Sequence, residues 1–171
     1  MRHLTVPTVP FSLELLEKRG ICLNEYARTY LKHPQLQEMG LPDQFRLVLL
    51  TPAELGFSEG CTTQQLIDRT RAFGFVPCHP MAAVFLRLHL TDQSESANAI
   101  LTGTHRAPDG SITVLSEPLC QEDTFPKGLY LRNVSGQLWL RGYVCEDSFV
   151  WSATDVLALS QLHKFREGTA T

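Results

Sequence analysis

Between Phe45 and Gln93 the chain reads FRLVLLTPAELGFSEGCTTQQLIDRTRAFGFVPCHPMAAVFLRLHLTDQ, and this stretch restricts the fold more than any other. Phe45 to Leu50 is an apolar run of strand length, which predicts a central strand. Thr51-Pro52 can start a single helical turn through Leu55, with Gly56 as its stop. Thr62 and Gln65 have the spacing of a capping box, in which the hydroxyl accepts from the third backbone N–H while that residue's side chain reaches back to the cap. The helix that follows carries Leu66, Ile67 and Phe73 as its apolar face, and Gly74 stands where a left-handed residue closes a helix. FVPC then resumes as extended chain. From Val84 to Leu90, the alternation of Val84, Leu86, Leu88 and Leu90 against Phe85, Arg87 and His89 predicts a half-buried strand with Arg87 and His89 on one face.

Upstream, Ser12 is the expected cap of a helix over LELLEKR that Gly20 ends, with Leu13, Leu16 and Leu15 inward. A second helix fits Leu23 to Leu31, where Tyr26, Ala27, Tyr30 and Leu31 recur at helical spacing and His33-Pro34 stops the chain. Gln35 to Gln44, with Gly40 and Pro42, reads as a connector. Downstream, strands are expected at Ala99 to Thr104, Ile112 to Ser116, Leu129 to Asn133, Gln137 to Tyr143, Phe149 to Trp151 and Val156 to Leu159. Pro108-Asp109-Gly110 and Ser135-Gly136 supply hairpin turns, the second short enough for a tight one. The fold class that follows is α+β: an N-terminal helical pair, a strand–helix–strand unit and a C-terminal antiparallel meander, with helices on one face of the sheet.

The chain has 171 residues, of which 43% are hydrophobic and 19% charged. That length suffices for one domain with a real core, expected over residues 1–164 with a frayed tail at 165–171. A net charge of -3, with Arg69, Arg71, Arg132 and Arg141 scattered, gives no basic stripe, so no nucleic-acid partner is expected. The first residues, MRHLTVPTVPFSLELL, lack the apolar core of a secretory signal, and no window reaches the ~18 apolar residues of a membrane span. These readings lead us to expect a cytoplasmic protein without a membrane partner. Cys22, Cys61, Cys78, Cys120 and Cys145 are odd in number, with no CxxC pair, and point to reduced thiols, no metal and no cofactor.

The block from Leu49 to Gln93 resembles an uncharacterised family of small bacterial proteins. The resemblance rests on Ala53 to Gly56, Thr62, Cys78 with Pro80, Arg87, and Asp92-Gln93. It runs on through Asp109-Gly110 and, more weakly, to the strands around Trp139 and Trp151. It implies the fold and no activity. Where the family often has an acidic residue and a Gly-Pro pair, this chain has Met81, Ala83 and Val84, and Thr104-His105 stands where Met-Glu is common. An acid–base role for those carboxylates is therefore absent here.

Two groups of residues have functional chemistry. Cys78 is a potential nucleophile, and His105, Arg87 and His89 could gather near it to activate water or hold phosphate, giving a small hydrolase or transferase. Cys78 and His79 are adjacent and would point to opposite faces of a strand, so Cys78 would need a distant base. Glu54 and Glu59 lie in a post-strand loop, but GFSEG lacks the glycine spacing and lysine of a phosphate cradle. The stronger reading comes from QLWLRGY. Alternation there puts Leu138, Leu140 and Gly142 on one face and Trp139, Arg141 and Tyr143 on the other, residue types enriched at the centres of interfaces. We therefore expect a non-catalytic interaction or accessory protein, binding a protein partner or a second copy through its C-terminal sheet. The competing expectation for that face is cover beneath the N-terminal helices.

Overall fold

The computed structural model describes residues 1–96, 107–146 and 148–162, and the expected strand at 99–104 and tail at 165–171 lie outside them. The chain opens with β1 (Arg2–Pro7), a strand not anticipated from its short, proline-bounded sequence. Then comes α1 (Leu13–Lys18), with the Ser12 hydroxyl accepting from Leu15 N and Leu16 buried. β2 (Cys22–Leu23) takes Leu23, the first residue of the stretch whose periodicity fits the second helix. That helix, α2 (Glu25–Leu31), begins at Asn24, whose side chain accepts from Ala27 N. Ala27, Tyr30 and Leu31 are its buried face, and Tyr26 is exposed. The supposed connector contains a further short helix, α3 (Pro34–Glu38), because Pro34 sits at its first position, where no amide is needed, and His33 Nδ1 caps it.

β3 (Gln44–Leu50) is the expected inner strand, and the turn after it is a 3-10 turn at Pro52–Leu55 closed by the reciprocal Thr51–Glu54 capping box. β4 (Cys61–Thr62) leads into α4 (Thr63–Ala72), where the predicted box is present: Gln65 N donates to Thr62 Oγ1 at 3.3 Å and Thr62 N to Gln65 Oε1 at 2.9 Å. Leu66 and Thr70 form its buried stripe, while Phe73 is 51% exposed. β5 (Phe75–Val76) follows Gly74, whose φ of 77° is left-handed.

The strand expected over Val84 to Leu90 is instead a helix, α5 (Ala82–His89). Every residue from Ala82 to Arg87 is buried, so this helix is enclosed almost all round, and a fully buried helix need not show an amphipathic stripe. Leu at every second position arose from composition. Arg87 and His89 consequently lie about 200° apart around the axis rather than on one face, Arg87 buried and His89 exposed.

The remaining strands are β6 (Ile112–Val114), β7 (Gly128–Val134), β8 (Gln137–Tyr143), β9 (Val150–Trp151) and β10 (Val156–Gln161). Among the described residues the main sheet runs β1-β3-β10-β6-β7-β8-β2, with β5 also on β10. The antiparallel meander is confined to β6, β7 and β8. β9 departs to pair with β4, and β10 crosses to lie between β3 and β6, antiparallel to the first and parallel to the second. Ser135 and Gly136 join β7 to β8 with φ of 51° and 76°, both left-handed, as a tight primed turn requires.

Helices cover both faces of this sheet, not one. Along β3, Phe45, Leu47 and Leu49 join the core that contains α2 and α5 residues, whereas Val48 and Leu50 join a second core with Leu66 of α4 and Trp151. Along β10, Ala158 faces the first core, and Leu157 and Leu159 face the second. Strands that are apolar on both sides belong at the middle of such a sandwich.

Candidate functional site

β8 is held on one side by β7, pairing Arg132 with Trp139, Tyr130 with Arg141 and Gly128 with Tyr143, and on the other by β2, pairing Cys22 with Trp139. One face of this ribbon belongs to the helices. Leu140 is fully buried with Ala27 and Tyr30 in the first core. Gly142 lies so close to α2 that a Cβ there would stand 2.6 Å from the Tyr26 carbonyl carbon and 2.7 Å from Ala27 N. Asn24 clamps the two elements together. Its Oδ1 accepts from Gly142 N at 2.8 Å and Ala27 N at 2.9 Å, and its Nδ2 donates to Gly142 O at 3.0 Å.

By alternation, Trp139, Arg141 and Tyr143 occupy the other face, away from α2, and all three are half-buried. The Arg141 guanidinium carbon sits 5.1 Å from the centroid of the Trp139 ring, a cation–π arrangement. Arg141 Nε is buried without a hydrogen-bond partner. Tyr143 lies across glycine, its hydroxyl over Gly128, where a Cβ would come within 2.9 Å of it. Burial raises the pKa of that phenol well above its ordinary value, with smaller contributions from Cys145 and Tyr30. Tyr130 stands 6.3 Å from Tyr143, ring to ring. Where β8 ends, an open cleft of about 650 Å³ begins, bounded by Lys127, Val144, Cys145, Glu146 and Phe149. A second groove, of about 470 Å³, lies among α1, α2 and α3 beside Phe11, Leu36 and Met39.

The other candidate residues are differently placed. Cys78 is buried, its Sγ donating to Ala158 O at 3.4 Å, and desolvation pushes its pKa up to about 12, so it is a thiol at neutral pH. Arg87, also fully buried, donates from Nη1 to Gln93 Oε1 at 2.5 Å and from Nη2 to Leu90 O, and burial lowers its pKa to about 10. Gln93 in turn donates to Gly110 O at 2.8 Å and Leu131 O at 3.1 Å, so this network closes the end of α5 and ties the following segment to β7. His89 is exposed, and neither cleft described above is lined by Cys78, Arg87 or His89. His105 lies outside the described residues. His79 orders the turn that leads into α5: its Nδ1 accepts from Met81 N at 3.1 Å.

No family model, curated protein or solved structure matches this chain. Among the described residues no group of three or more His, Cys, Asp or Glu side chains is placed to hold a metal ion, and no helix is long and apolar enough to cross a membrane. The sequence singled out Trp139 and Arg141 by strand alternation. It missed the roles of Asn24, Gln93 and His79, which are polar side chains bonding to distant or neighbouring backbone and carry no periodic signal.

Proposed function

We propose that this chain is a non-catalytic docking protein whose β7–β8 face, bearing Trp139, Arg141 and Tyr143, engages a protein partner or a second copy of the chain. The observation that supports this reading is the asymmetry of β8. Leu140 and Gly142 are closed off by α2, while Trp139 and Arg141, whose guanidinium carbon lies 5.1 Å from the indole centroid, stay partly open on the opposite side. Large aromatics and arginine gain most from burial at the centre of an interface, since they offer wide contact area and several donors at a modest entropy cost. A half-buried Trp–Arg pair in cation–π contact is already partly ordered, which lowers the cost of docking further.

The test is Trp139→Glu, examined by sedimentation velocity and co-purification beside the unaltered chain. The expected result is a folded monomer with its associations lost. A variant that unfolds would place Trp139 in the core and refute the reading, and so would a folded variant that keeps every association.

A further inference from the structure

Four elements meet at the groove of about 470 Å³: Phe11 and Leu13 come from the start of α1, Lys32 from the end of α2, Leu36 and Met39 from α3, and Met81 from the turn before α5. Leu36 and Met81 are buried in the first core, and Phe11, Leu13 and Met39 pack against that core while staying half open. The chain has three methionines, and two of them line this groove. A thioether side chain is unbranched and polarizable, so such walls adapt to a flexible occupant better than to one rigid shape. Among the lining residues Lys32 carries the one charge, Ser12 and Gln37 are neutral, and no carboxylate is present. From this combination we infer that the groove binds a single-chain amphiphile with a carboxylate head, of the medium-chain fatty acid class.

Size separates this ligand from a macromolecule. Small-molecule clefts run from about 300 to 1,000 Å³, a range that includes this one. A stable protein contact takes about 20–30 residues from each side, against ten lining residues here. An alkyl chain laid on Leu36 and Met81 leaves water and gains affinity with its length. Charge then sets the sign of the head. Lys32 is exposed and enters none of the ion pairs formed by the described residues. A cationic head would meet its ammonium with repulsion and find no carboxylate in the lining. One ammonium, a compact point charge on a flexible stem, matches the single charge of a carboxylate, whereas a nearly doubly charged phosphate calls for more donors. The site goes beyond the docking reading and does not depend on it, because the Trp139 side of β8 faces away from α2.

The test is titration of the full chain, labelled with 13C at its methionine methyls, with decanoate, hexanoate, decanol and decyltrimethylammonium, each below its micelle-forming concentration. Decanoate is expected to shift the Met39 and Met81 methyl resonances and to leave Met1, which is outside the groove, unmoved. It should bind about tenfold or more tightly than hexanoate, well within the roughly fourfold that each fully buried methylene supplies. Lys32→Gln, a change at an exposed position, should weaken decanoate about three- to fivefold, as for one solvent-exposed ion pair, and leave decanol unchanged. Lys32→Arg should bind decanoate as the unaltered chain does. Equal binding of decanol and decanoate, or no effect of Lys32→Gln, would overturn the carboxylate head. Decyltrimethylammonium binding as tightly as decanoate would overturn selective recognition in favour of adsorption to an apolar surface. If Met39 and Met81 respond to dilution of the protein and not to decanoate, a second copy covers the groove and the inference is wrong; if they respond to nothing, it is wrong as well.

Discussion

Asn24 acts as a strand residue through its side chain. Where β2 ends after Leu23, the Asn24 amide continues the hydrogen bonding to β8 at Gly142 and at the same time caps α2. This brings the first turn of α2 so near β8 that only glycine fits at position 142. Gly142→Ala is therefore expected to cost about 1–3 kcal/mol, the range for overpacking a closed contact. Urea denaturation measures it, and an unchanged midpoint would contradict the close approach. His79 makes a second residue-scale case. Its Nδ1 accepts from Met81 N, so the fold holds the neutral ring with its proton on Nε2. Burial pushes its pKa below the ordinary 6.5, against a weaker upward pull from the Gly40 backbone, which acts as a nearby dipole outside bonding geometry to Nε2. A lowered pKa means the unfolded chain binds the proton more readily, so this contribution to stability is complete at neutral pH and declines as pH falls through 6.5 towards the folded value. His79→Asn, which keeps an acceptor near the Met81 amide, should show a shallower loss of stability between neutral and mildly acidic pH. An identical pH dependence would show that His79 is not responsible.

At the level of elements, caps and turns carried the legible information. Ser12, Thr51, Thr62, Gly56, Gly74 and Ser135-Gly136 each act where their chemistry indicates, because a cap or turn depends on two to four neighbouring residues. Thr62→Ala should accordingly lose about 1 kcal/mol, leaving the Gln65 amide without its acceptor. Calorimetry or denaturant titration showing no loss would remove the box from the account of α4. Elements defined by their surroundings were less legible. α5 reads as a strand in the sequence because a helix buried on nearly all sides has no polar face to reveal a 3.6-residue period, and Leu86, Leu88 and Leu90 then imitate alternation. β1 and β2 were missed since each depends on partners far along the chain: β1 on Gln44 to Leu49, β2 on Trp139 and Leu140.

For the whole molecule, the α+β class was readable from local signals, while the path of the chain through the sheet was not. Among the described residues β10 is the last strand in sequence, and it lies near the middle of the sheet, joining the N-terminal β1–β3 ladder to the β6–β7–β8 meander. That placement lets one sheet separate two hydrophobic cores, the first under α2 and α5 and the second under α4 and Trp151. Strand alternation in QLWLRGY proposed two faces without saying which one the helices take; the contact of α2 with Gly142 assigns the helical cover to the Leu140 side. The claim that Trp139 belongs to an available surface can be measured directly by comparing the unfolding free energies of Leu140→Ala and Trp139→Ala. Leu140→Ala is expected to lose about 2–5 kcal/mol, as for a buried leucine, and Trp139→Ala less than half of the Leu140 value. A loss at Trp139 of about 3–5 kcal/mol, matching truncation of a core tryptophan, would place the ring in the interior and contradict the docking face.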